Sequence, residues 1–113
     1  MFTRLMGLKS ISPNALHQTM RGQPVTVIDV NSRQSWIKAH VPKAGNLDSA
    51  TYHESDLPTD KAAMLVFYCS NPMCRKAPNA ARRAKKMGYS NVHVMSAGIT
   101  GWLGAKLPTE AGA

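Results

Sequence analysis

The residue with the clearest chemical potential is Cys69, which closes an apolar run from Ala62 to Tyr68. It is followed by the short loop Ser70-Asn71-Pro72-Met73-Cys74-Arg75 and then by a strongly basic stretch of helical composition. A thiol between a strand end and a helix start lies where open α/β sheets bind ligands, outside the carboxyl ends of the strands. A helix N-terminus there offers unpaired backbone N–H groups and a positive dipole end. Helix N-termini and neighbouring cations such as Arg75 and Lys76 can bring a cysteine pKa from about 8.5 to roughly 3.5–7.5, so the thiol is expected to ionise. The chemistry to expect is nucleophilic attack by a thiolate on an anion.

Such a thiol needs a sheet to hold it. Val25-Thr26-Val27-Ile28-Asp29-Val30 is β-branched and nearly continuous in apolar character, the pattern of a strand buried on both faces, with Asp29 near its carboxyl end. Residues 63–69 and 91–95 read as further strands. Ser12 before Pro13 marks a helix start, and that helix runs through Leu16 and Met20 towards Gly22. Ser32 caps a short helix through Trp36 and Ala39, Pro78 suits the first turn of a helix through Ala81, Ala84 and Met87 to Gly88, and residues 100–106 form a last one. The stretch from His40 to Gly45 turns into a brief extended piece, and Leu47 to Lys61 is polar and irregular, with a turn at Leu57-Pro58-Thr59-Asp60. Strand and helix therefore alternate. That order predicts an α/β fold with a central, mostly parallel sheet of about five strands, helices on both faces and right-handed crossovers.

With 113 residues, 43% of them hydrophobic, the chain fits one domain, spanning 1–113 with its core at about 11–108. No internal repeat, low-complexity tract or linker interrupts it. Two cysteines separated by four residues do not form the framework of a secreted disulfide fold, and His17, His40, His53 and His93 are too scattered to assemble a metal quartet. No metal or other cofactor is expected. The segment Met1 to Lys9 carries neither an apolar stretch of signal length nor a small-residue cleavage site, and no segment has the length to span a membrane. These features predict a soluble cytoplasmic protein of open oligomeric state. The net charge is +8, and six of the fourteen Lys and Arg residues lie between Arg75 and Lys86. Without aromatic interleaving or a zinc-finger or RNA-recognition signature, that stretch does not predict nucleic-acid binding. It reads as a solvated helix face or as a docking surface for an acidic protein.

Taken in order and spacing, four segments give the chain a resemblance to a rhodanese domain from Ile11 to Pro108. Ile28-Asp29-Val30 resembles the family's strand ending in aspartate, and Ala39-His40-Val41-Pro42-Lys43-Ala44 is similar to its Gly-His-Ile-Pro-Gly-Ala segment. Phe67-Tyr68-Cys69 resembles its strand and nucleophile. Gly88-Tyr89-Ser90-Asn91-Val92 followed by Ala97-Gly98-Ile99-Thr100-Gly101-Trp102 resembles its closing pattern. There are departures. Asn31 stands where the family often has arginine, Lys43 and Ala97 replace glycines, and Pro72 replaces a loop glycine. The family's loop carries arginine five residues after the cysteine. Here Cys74 holds that place and Arg75 follows, so the loop resembles a subgroup with two cysteines.

The resemblance implies a sulfurtransferase. The Cys69 thiolate would take sulfane sulfur from thiosulfate or another persulfide donor and pass it from a persulfide to cyanide or to a thiol or thiol-protein acceptor, covalent catalysis in two easier steps. Ser70, Asn71, Met73, Cys74, Arg75 and Lys76 would bind the small anionic donor, chiefly through backbone N–H groups other than that of Pro72. Asp29 would order the floor of that cradle. Cys74 reads equally as a resolving cysteine or as a small residue beginning the helix. His40 reads as structural, at a turn, and the other histidines as surface or packing residues. Trp36 and Trp102 read as core or core-edge residues, Met64, Met87 and Met95 as packing, and Met73 as a shaper of the entrance. Two other functions compete. One is a sulfur carrier or redox-sensing module that loads without turnover and docks on a partner. The other is a Cys-x5-Arg phosphatase, against which Pro72 deletes an amide donor and the loop lacks an acidic residue to protonate a leaving oxygen.

Overall fold

A computed structural model of the chain describes residues 8–113. Most of the segment inspected for a secretion signal therefore lies outside the described residues. The elements are β1 (Lys9–Ser10), α1 (Pro13–Met20), β2 (Thr26–Asp29), α2 (Arg33–Lys38), β3 (Gly45–Asn46), a 3-10 turn at Glu54–Asp56, β4 (Leu65–Tyr68), α3 (Lys76–Lys86), β5 (Val92–Val94) and α4 (Gly98–Gly104). The strands form one five-stranded sheet in the order β1-β5-β4-β2-β3, and every pair in it is parallel.

Alternation along the central strand divides the core into two layers. Leu65, Phe67 and Cys69 pack with Ile28, Val30 and the α3 alanines Ala77, Ala80, Ala81 and Ala84. Val66 and Tyr68 face the other way, towards Leu16 of α1 and Trp102 of α4. Four small residues on one face of α3 let that helix lie close on the sheet. Each fully buried Leu or Phe contributes about 1.5–3 kcal/mol. The expected caps are present, since the Ser12 hydroxyl accepts from Ala15 N at 3.1 Å and that of Ser32 from Ser35 N at 3.2 Å.

Four differences from the sequence expectation have physical causes. The strand Lys9–Ser10 is added at the sheet edge by pairing with β5 and by Ile11 N donating to Val94 O at 3.1 Å. The third helix, by contrast, agrees with expectation, since it begins at Lys76 and holds Pro78 inside its first turn, where the missing N–H costs nothing. The last helix begins at Gly98 rather than Thr100, for reasons that belong to the site. The stretch from Leu47 to Lys61 is irregular but not solvated throughout. Tyr52 and Leu57 are buried, and the Tyr52 hydroxyl donates to Ala80 O at 2.7 Å. Ordered contacts also reach past Pro108, where the backbones of His40 and Glu110 pair through two 2.9 Å bonds. Among the described residues no helix is long and apolar enough to cross a membrane.

His93 on β5 gives the fold a pH dependence. Its Nδ1 is buried without a hydrogen-bond partner, and burial, assisted by Lys9, lowers its pKa below the usual 6.5. The unfolded chain then binds this proton more readily than the folded one, so stability falls as pH drops below the unfolded value. His93→Gln should flatten the decline in urea midpoint between about pH 7 and pH 5. An unchanged slope would assign the acid sensitivity to other groups.

Candidate active site

Cys69 follows the last residue of β4 at the carboxyl edge of the sheet and is 3% exposed. Its position is fixed through the backbone by α4. Ile99 N donates to Cys69 O at 2.9 Å and Thr100 N to Ser70 O at 3.0 Å, so the opening amides of the last helix hold the strand end. Those two bonds explain the early start of α4. They also require Gly98, whose φ is +66°. A Cβ there would stand 2.5 Å from the carbonyl carbon and oxygen of Ser70 and 2.7 Å from Asn71 N. Gly98 is thus a positioning residue for the loop, visible in the sequence only as part of the closing pattern.

The loop turns back on itself. Met73 N donates to Asn71 Oδ1 at 2.9 Å and Cys74 N to Asn71 O at 3.1 Å. Two of the amides expected to face an anion are therefore engaged within the loop. The turn brings Cys74 to Cys69, and the two sulfurs are bonded as a disulfide with the Cα atoms 6.4 Å apart. Cys74 is half-buried and packs on the same apolar layer as Cys69. Met73 stands 85% exposed at the loop tip, and Arg75 at the N-cap of α3 and Lys76 at its first position are exposed beside it. The open amino end of α3 thus follows directly on the disulfide.

Beneath the loop, a polar network ties the ends of β2, β3 and β4 together. Asp29 Oδ1 accepts from Asn31 N at 2.7 Å, and Asn31 Oδ1 accepts from the Ser70 hydroxyl at 2.9 Å. Asn46 Nδ2 donates to Asp29 O at 3.0 Å and to Asn31 O at 2.9 Å. Asn31 and Asn46 are contributors that the sequence did not reveal. In the sequence Asn31 stands out only as a departure from arginine, and nothing local distinguishes Asn46. A cavity of about 400 Å³ opens beside this network, lined by Asn31, Arg33, Asn46, Asp48 and Lys76 among others.

Asp29 is fully buried. Burial raises its pKa above 3.8, against the opposing influence of the Tyr68 hydroxyl, Asn31 and His40, and its Oδ2 has no hydrogen-bond partner. A folded pKa above the unfolded one means that the folded state keeps this proton longer, so ionisation of Asp29 weakens stability as pH rises through that window. Asp29→Asn retains an acceptor for Asn31 N and removes the buried charge. It should raise stability near neutral pH, where the native carboxylate must be held ionised in its buried site. The gain in urea midpoint should shrink towards acid pH, and a loss at every pH would contradict it.

Other side chains singled out from the sequence have structural surroundings. The His40 ring is buried and stacks on Trp36 at 4.6 Å, and its Nδ1 donates to Trp36 O at 2.6 Å. Trp36 Nε1 donates to Ala44 O at 2.9 Å, and the fully buried Trp102 donates to Pro108 O at 2.7 Å. Lys43, in the place of a family glycine, has a φ of 67°. The basic helix is not uniformly solvated. Arg83 donates to Tyr52 O at 3.0 and 2.6 Å and lies over the Tyr52 ring, so it serves the fold.

A family model described as the rhodanese-like domain matches residues 12–105. The chain belongs to the rhodanese-like family. Within that family it is 28% identical over 102 residues to the thiosulfate sulfurtransferase GlpE of Ectopseudomonas mendocina, covering 90% of each chain. It is 32% identical over 91 residues to the HTH-type transcriptional regulator Rv0324 of Mycobacterium tuberculosis, matching 79% of this chain but only 39% of that protein. The BH2092 protein of Bacillus halodurans has the same fold, with a TM-score of 0.83 at 20% identity over 96% of this rhodanese-like chain and 80% of that one.

Proposed function

We propose that the chain is a sulfurtransferase in which Cys69, once reduced, takes sulfane sulfur from thiosulfate or a related persulfide donor and hands it to cyanide or a thiol. The observation that carries this reading is the place of Cys69 in a rhodanese-like chain, at the carboxyl end of β4 and one loop before the amino end of an 11-residue helix. The dipole of that helix and the charges of Arg75 and Lys76 favour both a thiolate and an anionic donor. The thiolate attacks the outer sulfur of thiosulfate, sulfite leaves, and the persulfide that remains surrenders its outer sulfur to the acceptor. Likeness to two thiosulfate sulfurtransferases, at 28% and 24% identity, supports the choice of donor. Lys76 and Lys86 stand exposed at the two ends of α3, where they could meet an acidic thiol-protein acceptor.

Reduced Cys74→Ser protein, in which the loop disulfide cannot close, is expected with thiosulfate and excess cyanide to release thiocyanate over many cycles with ping-pong kinetics. Loading of a single sulfur without turnover would replace the enzyme by a sulfur carrier.

A further inference from the structure

We propose that Cys74 makes this chain its own sulfur acceptor, so that the reduced protein converts a sulfane sulfur donor into free sulfide by closing the Cys69–Cys74 disulfide. The inference rests on the Cys69 persulfide of the preceding section and assigns its discharge. Three observations carry it. The two sulfurs are bonded to each other, and the 6.4 Å between their Cα atoms lies within the range a disulfide spans without backbone movement. The turn that returns Cys74 is fixed by both bonds to Asn71, while the Cys69 end is held by Ile99 and Thr100, so the loop itself presents one sulfur to the other. Finally, Cys74 is half-buried against the same apolar layer as the nearly inaccessible Cys69, which places it closer to a Cys69 persulfide than an external thiol could readily come.

The steps balance. The Cys69 thiolate attacks the outer sulfur of thiosulfate, the S–S bond of the donor breaks, and sulfite departs to leave Cys69–S–S⁻. Cys74 then attacks Sγ of Cys69. A new Sγ–Sγ bond forms, the bond to the outer sulfur breaks, and that sulfur leaves as HS⁻ with the proton that Cys74 gives up. The two thiols supply two electrons, which reduce the sulfane sulfur to sulfide. An external dithiol then reopens the disulfide and is itself oxidised. Its attack falls on the more exposed Cys74 sulfur and expels Cys69 as the thiolate, a leaving group favoured by the helix amino end.

The test uses protein reduced with a phosphine, desalted without oxygen and mixed with thiosulfate in the absence of cyanide and added thiol. Wild type is expected to give one sulfite and one sulfide per chain and to end as the intramolecular disulfide by intact mass. Cys74→Ser and Cys74→Ala should each give one sulfite, no sulfide and a mass gain of one sulfur. If the variants load sulfur and wild type also retains it without sulfide, the inference fails and the sulfurtransferase reading survives. If neither wild type nor the variants release sulfite, the sulfurtransferase reading fails first and takes the inference with it.

Discussion

Cys69→Ser is expected to abolish the proposed thiocyanate formation from thiosulfate and cyanide, a loss of at least about a thousandfold, to the uncatalysed background. The size of the effect follows from covalent catalysis. A serine hydroxyl near its ordinary pKa is a far weaker nucleophile than a thiolate. His40 is not free to act as a base, because its Nδ1 is committed to the Trp36 carbonyl and its ring is stacked on that side chain. The exchange removes one atom's character and little volume from a strand end in the α3 layer. The buried hydroxyl costs about 1–3 kcal/mol, so the unfolding free energy measured under reducing conditions, where the disulfide makes no contribution, should fall by no more than that. A Cys69→Ser protein with measurable turnover would transfer the chemistry to another residue.

Gly98→Ala has the second large effect, on fold and site together. The left-handed backbone alone costs an alanine about 1–2 kcal/mol, and the Cβ would press on the Ser70 carbonyl and the Asn71 amide, which are backbone and cannot rotate away. With roughly 1–3 kcal/mol more for overpacking, the total is about 2–5 kcal/mol, a large share of the 5–15 kcal/mol that holds a domain of this kind together. Relief requires α4 to withdraw, which breaks the bonds from Ile99 to Cys69 and from Thr100 to Ser70. Sulfur loading should fall with stability even at temperatures where the variant remains folded. A Gly98→Ala protein as stable and as active as wild type would show that this contact does not position the loop.

How much of this was legible in the sequence depends on the reach of each signal. The strands carrying Asp29 and Cys69, and the caps at Ser12 and Ser32, announce themselves through runs of β-branched residues and through local hydroxyl chemistry, so they were readable. The two-residue strands at Lys9 and Gly45 have no pattern of their own and exist because a neighbouring strand pairs with them. Nothing in the polar, irregular stretch around Tyr52 signals its burial, because its partners, Ala80 and Arg83, lie far along the chain. The same distance hid the network of Asn31, Asn46 and Ser70. Short polar side chains are common in turns, and only the convergence of three strand ends gives these a task. The place of Cys69 at a strand end was legible from the apolar run before it. The pairing of Cys74 with Cys69 was not, since spacing left Cys74 equally a resolving thiol or a filler, and the turn around Asn71 is what brings the two sulfurs together.

The central claim is that Cys69 accepts sulfane sulfur as a persulfide. Its most direct test is the mass of the Cys69 peptide from reduced Cys74→Ser protein after exposure to thiosulfate, a background in which the persulfide cannot discharge within the loop. The account predicts one added sulfur on that peptide, removed by cyanide as an equal amount of thiocyanate. An unmodified Cys69 peptide from folded, reduced protein would contradict it.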